Sequence, residues 1–150
     1  MCFVCTGNIC RSPMAEAVFA DALRREGLAH RVRVSSAGIE SWHVGDCADV
    51  RAAETLRRAG YSCAHVATQL SPHHLSADLL VALDYGHLVT LRRLVAEPDR
   101  VVLLRSFDQS AGRDLNVPDP YYGGKHGFDI VLGMVRAAVP GLLAWVRERL

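Results

Sequence analysis

Hydrophobic positions along this chain follow two patterns: short apolar runs without alternation, and longer segments where apolar residues return every three or four positions. Unalternating runs suit strands buried on both faces, and the longer period suits helices with one face on a core. Met1 to Val4 is the first such run, shorter than the usual strand of about five or six residues, so either the strand is stunted or its true start lies upstream. Pro13 to Glu26 sets Met14, Val18 and Ala22, with Phe19 and Leu23 beside them, on one helical face, and Gly27 marks its end. Arg31-Val32-Arg33-Val34-Ser35 alternates and predicts the second strand, with Ser36-Ala37-Gly38 turning away from its end. A loop through Trp42-His43-Val44-Gly45 leads to a helix from near Asp49 to Ala59, stopped by Gly60, and Ser71-Pro72 reads as the cap and first position of a short helical turn.

The run Leu79 to Leu83 predicts another strand, followed by a helix from near Gly86 to Val95, a break at Glu97-Pro98-Asp99 and a strand from Val101 to Leu104. Ser106 to Lys125 carries Gly, Pro, Asp and Asn and predicts a loop long enough to suspect function. Phe128, Val131, Val135, Ala138, Leu142, Trp145 and Val146 then recur at helical spacing, and Pro140 should kink or split that helix. Strands alternating with helices predict an α/β fold in one domain, residues 1–150, with helices on both faces of a parallel sheet. In such folds ligands bind beyond the carboxyl ends of the strands.

Composition narrows the function. With 50% hydrophobic and 22% charged residues and a net charge of +1, nothing predicts nucleic acid or an anionic membrane as partner. No apolar run approaches the roughly 20 residues of a membrane span, and no basic segment or cleavage site of a secretory signal appears. Five cysteines without regular spacing fit a reducing, cytoplasmic setting. Cys2 and Cys5 form a C-x-x-C only in name. Three residues apart on a strand they face opposite sides, roughly 10 Å apart, and a disulfide needs Cα atoms within about 7 Å.

The chemistry gathers in Cys5-Thr6-Gly7-Asn8-Ile9-Cys10-Arg11-Ser12-Pro13, between the first strand and the first helix. Backbone N–H groups point outward at a helix start, and the helix dipole favours an anion. The spacing C-x5-R is weak alone, since five Cys and sixteen Arg give about 0.5 chance occurrences; requiring Ser or Thr next lowers this to about 0.05. A helix N-terminus and a nearby cation favour the thiolate form of a cysteine, the form in which Cys5 would attack phosphorus in line. Arg11 offers planar, paired donors to two phosphoryl oxygens. Gly7 lets the backbone turn its amides toward the anion, and Ser12 can donate to the departing sulfur.

These residues make the chain resemble the low-molecular-weight protein tyrosine phosphatases. Val4 to Pro13 matches that family's signature, and the likeness continues through Ser36-Ala37-Gly38, Trp42-His43-Val44-Gly45, His65 and Asp119-Pro120-Tyr121-Tyr122-Gly123, nearest to actinobacterial members. The resemblance implies a three-layer, flavodoxin-like fold with a parallel sheet of four strands in the order 2-1-3-4. It implies Cys5 as nucleophile, Arg11 as clamp on the phosphoryl group and Asp119 as general acid and base, with Thr6, Gly7, Asn8, Ile9, Cys10, Arg11 and Ser12 forming the phosphate-binding loop. Asn8, Ser12, Ser36 and His65 would hold that loop in shape, and Trp42, Tyr121 and Tyr122 would wall a cleft deep enough to favour aryl phosphates. Asp119 suits its role on independent grounds, lying between two prolines in the long loop after the fourth strand.

The implied partners are phosphotyrosine proteins, with phosphate or other oxyanions in the loop, no cofactor or metal, and a monomer or weak dimer. The family is also known for reversible protection of the nucleophile by the Cys10 position, which makes Cys10 a redox candidate. Ile39 and Glu40 stand where the family often has Thr or Gly, and Val66 where a basic residue is common. A thiol-dependent arsenate reductase shares the loop but needs further cysteines in a flexible segment, and Cys47 and Cys63 have the wrong surroundings. A non-catalytic phosphoprotein-binding module would have no need of Cys5, Arg11 and Asp119 together. A metal site on Cys2, Cys5 and Cys10 lacks zinc-like spacing.

Overall fold

Strand β1, Cys2–Cys5, lies at the centre of the molecule in a computed structural model that describes residues 1–124 and 126–150. Lys125, where the expected long loop ended, is outside the described residues. All four β1 residues are buried, and the two faces of the strand sort them. Phe3 and Cys5 join the core under α1 (Arg11–Arg25), α2 (Val50–Arg58) and α5 (His126–Arg147), where Phe3 meets Phe19 edge to face. Cys2 and Val4 point the other way, toward Leu88 and Leu91 of α4 (Tyr85–Leu94) and Leu75 of the short α3 (Pro72–Leu75). Cys2 and Cys5 therefore lie on opposite faces of the sheet, as strand geometry requires.

The sheet is parallel throughout, in the order β2-β1-β3-β4, with β2 at Ser35–Gly38, β3 at Leu80–Ala82 and β4 at Val101–Leu103. The chain leaves β1 toward β2 and later returns to its other side as β3, so the order reverses at β1. The carboxyl end of β1 is thus the switch point where such sheets form their ligand crevice.

Two expectations need correction. The second strand is not Arg31 to Ser35; it begins at Ser35 and consists of the Ser36-Ala37-Gly38 stretch read as a turn. Pairing with β1 selects it: Cys2 through Cys5 register on Ser35 through Gly38, whereas 31–34 run at the surface with two exposed arginines. Nor does Pro140 split the last helix, which is assigned unbroken from His126 to Arg147. The carbonyl that Pro140 leaves without a partner belongs to Arg136, and both residues are exposed, so water can take its place. Helix α5 is long and apolar enough to span a membrane by length and composition, but its apolar stripe from Phe128 to Val146 is buried against the core. The other elements differ by a few residues at their ends, and Gly27 and Gly60 take the positive φ that ends α1 and α2.

Candidate active site

The Cys5–Pro13 segment wraps the carboxyl end of β1 and runs directly into α1 at Arg11. Asn8 takes the left-handed conformation, φ 59°, which Asn tolerates better than most residues. Every polar group of its buried side chain is occupied. The Nδ2 group donates to Ser12 Oγ at 2.8 Å and Ser36 Oγ at 3.0 Å, while Oδ1 accepts from the Thr68 N–H at 3.0 Å. His65 Nε2 donates to the Asn8 carbonyl at 2.7 Å.

That pattern gives the network a direction. Both serine oxygens accept from Asn8, so each hydroxyl proton is free to point outward. Ser36 donates to Glu16 Oε2 at 2.8 Å, and Ser12 Oγ lies 2.9 Å from Cys5 Sγ, within reach to donate to the sulfur. Cys5 itself is only 3% exposed, at the base of the loop. Cys10 is buried as well; burial first, then the nearby Asp49 and Cys5, pushes its thiol far up, so it stays protonated.

Arg11, buried at the start of α1, is held by fixed partners. Nη1 donates to Asp84 Oδ2 at 2.8 Å and to the Val117 carbonyl at 3.0 Å, and Nη2 reaches Thr6 Oγ1 at 3.5 Å. Thr6 Oγ1 also shares a hydrogen bond with His87 Nε2 at 2.8 Å. His87 Nδ1 then faces Asp84 Oδ1 at 3.2 Å, too far out of line for a hydrogen bond. Burial holds His87 neutral and pushes its pKa down to about 4, against the opposing pull of Asp84. For Asp84, burial works upward, but the facing His87 and the Arg11 guanidinium outweigh it and hold the carboxyl below its usual range.

Asp119 approaches from the loop after β4. Its Oδ2 lies 3.8 Å from Arg11 Nη2, and its Oδ1 accepts the Tyr121 N–H at 3.1 Å. Thr6, Gly7, Ile9, Cys10, Arg11, Trp42, His43, Asp119, Tyr121 and Tyr122 line one cleft. Its aromatic walls are open: Trp42 is 69% and Tyr122 87% exposed, while the Tyr121 and Tyr122 rings meet edge to face. The expected residues thus lie around the carboxyl end of β1, with the buried Cys5 next to this cleft and not part of its lining.

Sequence reasoning missed five residues. Asp84 and His87 anchor Arg11 and Thr6, Glu16 ends the serine network, His43 packs against Gly7, and Arg51 reaches the Asp119 loop. Asp84 carried a readable signal. It follows the Leu79–Leu83 run as the first polar residue beyond a strand end, where ligand-binding residues gather. Glu16 had none, being an acidic residue on a helix like many others.

The sequence profile described as "Low molecular weight phosphotyrosine protein phosphatase" matches residues 1–150. The low molecular weight protein-tyrosine phosphatase A of Mycobacterium bovis is 56% identical over 149 residues, covering 99% of this chain and 91% of that protein. Among solved structures, a protein tyrosine phosphatase from Entamoeba histolytica superposes with a TM-score of 0.93 at 31% identity, covering 98% of this chain and 96% of its own. An arginine phosphatase from Drosophila superposes at 0.89 with 28% identity, covering 97% and 96%.

Proposed function

The chain belongs to the low molecular weight phosphotyrosine protein phosphatase family, and on that premise we propose that it hydrolyses phosphotyrosine in proteins, and small aryl phosphates, through a phosphocysteine on Cys5. The observation that supports this reading is three groups near one strand end: Cys5 Sγ 2.9 Å from Ser12 Oγ, Arg11 next to Ser12 at the start of α1, and Asp119 3.8 Å from Arg11.

The dianionic phosphoryl group enters the ring of loop amides, and Arg11 takes two of its oxygens with paired N–H donors. Cys5 sulfur attacks phosphorus in line, the bond to the tyrosyl oxygen breaks, and Asp119 delivers its proton to the departing phenolate. Proton transfer of this kind contributes typically 10²–10⁴-fold, about 3–5 kcal/mol. Asp119, now ionised, takes a proton from the water that attacks the phosphocysteine. The S–P bond breaks, Ser12 donates to the leaving sulfur, and phosphate departs. The open aromatic walls of Trp42, Tyr121 and Tyr122 suit a flat ring. A cytoplasmic, reducing setting suits a nucleophile that must remain a thiol.

Rates on p-nitrophenyl phosphate and phosphotyrosine peptides for wild type, Cys5→Ser and Asp119→Ala test the reading, with phosphoserine and phosphoarginine as controls. Phosphoarginine is included because one structural relative is an arginine phosphatase. Cys5→Ser should be inactive, and full activity in it would sink the mechanism. Phosphotyrosine should be cleaved far faster than either control, and equal rates would contradict the aromatic cleft as the source of preference.

A further inference from the structure

Arg51, on the first turn of α2, takes no part in the chemistry proposed above, yet it reaches the loop that carries Asp119. Its partner Asp49 caps the helix: Asp49 Oδ1 accepts from the Arg51 backbone N–H at 2.8 Å and from Arg51 Nε at 3.1 Å, and Oδ2 accepts from Nη2 at 3.0 Å. Such a paired fork fixes the plane of the guanidinium. Burial alone would push the Asp49 carboxyl up, but its bonds from Arg51 outweigh that and hold it below its usual range.

From this fixed plane, the guanidinium reaches the acid loop. Nη2 donates to the Tyr121 carbonyl at 3.1 Å and Nη1 to the Gly123 carbonyl at 3.5 Å. Its central carbon lies 4.7 Å from the centroid of the buried Phe128 ring and 5.6 Å from that of Tyr121. The other end of the assembly is equally firm, because the Asp49 N–H donates to the Ile9 carbonyl of the phosphate loop at 2.8 Å. A continuous path therefore runs from Ile9 through Asp49 and Arg51 to Tyr121, whose own N–H holds Asp119 Oδ1.

We propose that Arg51, locked by Asp49, is a positioning residue that fixes the Asp119 loop relative to the Cys5 loop and so sets the reach of the general acid. The proposal rests on the reading of Asp119 as that acid. A residue needed only to cap α2 would slow all substrates alike through lost stability. A residue that aims the acid slows substrates in proportion to how much their leaving group needs a proton.

The test measures kcat/KM on aryl phosphates of rising leaving-group pKa, from p-nitrophenyl to phenyl phosphate, for Arg51→Ala, Arg51→Lys, Asp119→Ala and the double variant Arg51→Ala/Asp119→Ala. Arg51→Ala should lose about tenfold more on phenyl than on p-nitrophenyl phosphate, with inhibition by inorganic phosphate unchanged within about twofold. Arg51→Lys should show the same bias, since one ammonium cannot grip a carboxylate through two donors while reaching two carbonyls; if Arg51→Ala fails to fold, Arg51→Lys decides. In the Asp119→Ala background, removing Arg51 should add less than about twofold. Equal losses on all leaving groups, or losses that multiply in the double variant, would overturn the proposal while leaving Asp119 as the acid. Absence of any leaving-group bias in Asp119→Ala itself would instead remove the acid assignment, and this proposal with it.

Discussion

Gly38 and Thr6 are so close that a methyl group on Gly38 would lie 2.9 Å from the Thr6 carbonyl oxygen. The chain continues past the end of β2 beside the phosphate loop, where the Ile39 and Glu40 N–H groups donate to the Cys5 and Thr6 carbonyls at 2.9 Å each. The same methyl would stand 3.0 Å from the Gly7 carbonyl carbon and 3.1 Å from the Asn8 nitrogen, and backbone cannot give way as a side chain can. Gly38→Ala is expected to cost about 1–3 kcal/mol in urea unfolding and to lower kcat/KM on p-nitrophenyl phosphate by more than tenfold, about 1.4 kcal/mol of barrier. A variant with wild-type turnover would show that the loop shifts freely.

Acid should weaken this protein well above the pH at which carboxylates titrate. Folded His87 takes up its proton only at about pH 4, against 6.5 for an ordinary imidazole, so the unfolded chain binds more protons across that interval. Stability therefore falls as pH drops from about 6.5 toward 4, by up to about 3 kcal/mol from this residue. Asp84 contributes in a separate window: its lowered pKa means that its share is lost only below the ordinary carboxylate value of 3.8. Urea midpoints between pH 7 and 4.5 for wild type and His87→Asn check this. The variant should show the shallower slope, and parallel slopes would contradict a neutral His87.

Peroxide should inactivate the enzyme reversibly. Oxidation of Cys5 to the sulfenic acid, with peroxide reduced to water, leaves a sulfur that Cys10 can attack as its raised-pKa thiol passes its proton to the departing hydroxide, releasing water and forming a disulfide. Dithiothreitol should then restore activity in wild type. In Cys10→Ser, further oxidation of Cys5 should make the loss permanent, and equal recovery in that variant would remove Cys10 from the scheme.

The boundary between what sequence did and did not convey follows physical lines. Pro13, Gly27 and Gly60 act on the backbone locally, and the starts and stops they predicted appear within a few residues. The second strand failed because Arg31 to Ser35 alternates well, while Ser-Ala-Gly lacks the branched and aromatic residues that strands favour. Its place is dictated by what it must fit: a neighbour in register with β1 and a residue without a side chain beside Thr6. At the site, one contiguous segment carries both Cys5 and Arg11, so their nearness was legible. Asp84 meets Arg11 from 73 positions away and Arg51 meets Tyr121 from 70, and no periodicity carries such pairings.

The fixing of Arg11 by its partners has a consequence for the encounter with substrate. A free arginine side chain gives up as much as about 2 kcal/mol of rotational freedom when it is confined. Here Asp84 and the Val117 carbonyl already hold Nη1, before any phosphate arrives. That entropy is lost once, when β3 and α4 come together around Asp84, rather than at each turnover. On the function proposed above, folding of the distant β3–α4 junction would therefore be part of the affinity for phosphate, with the guanidinium meeting each substrate as a rigid fixture.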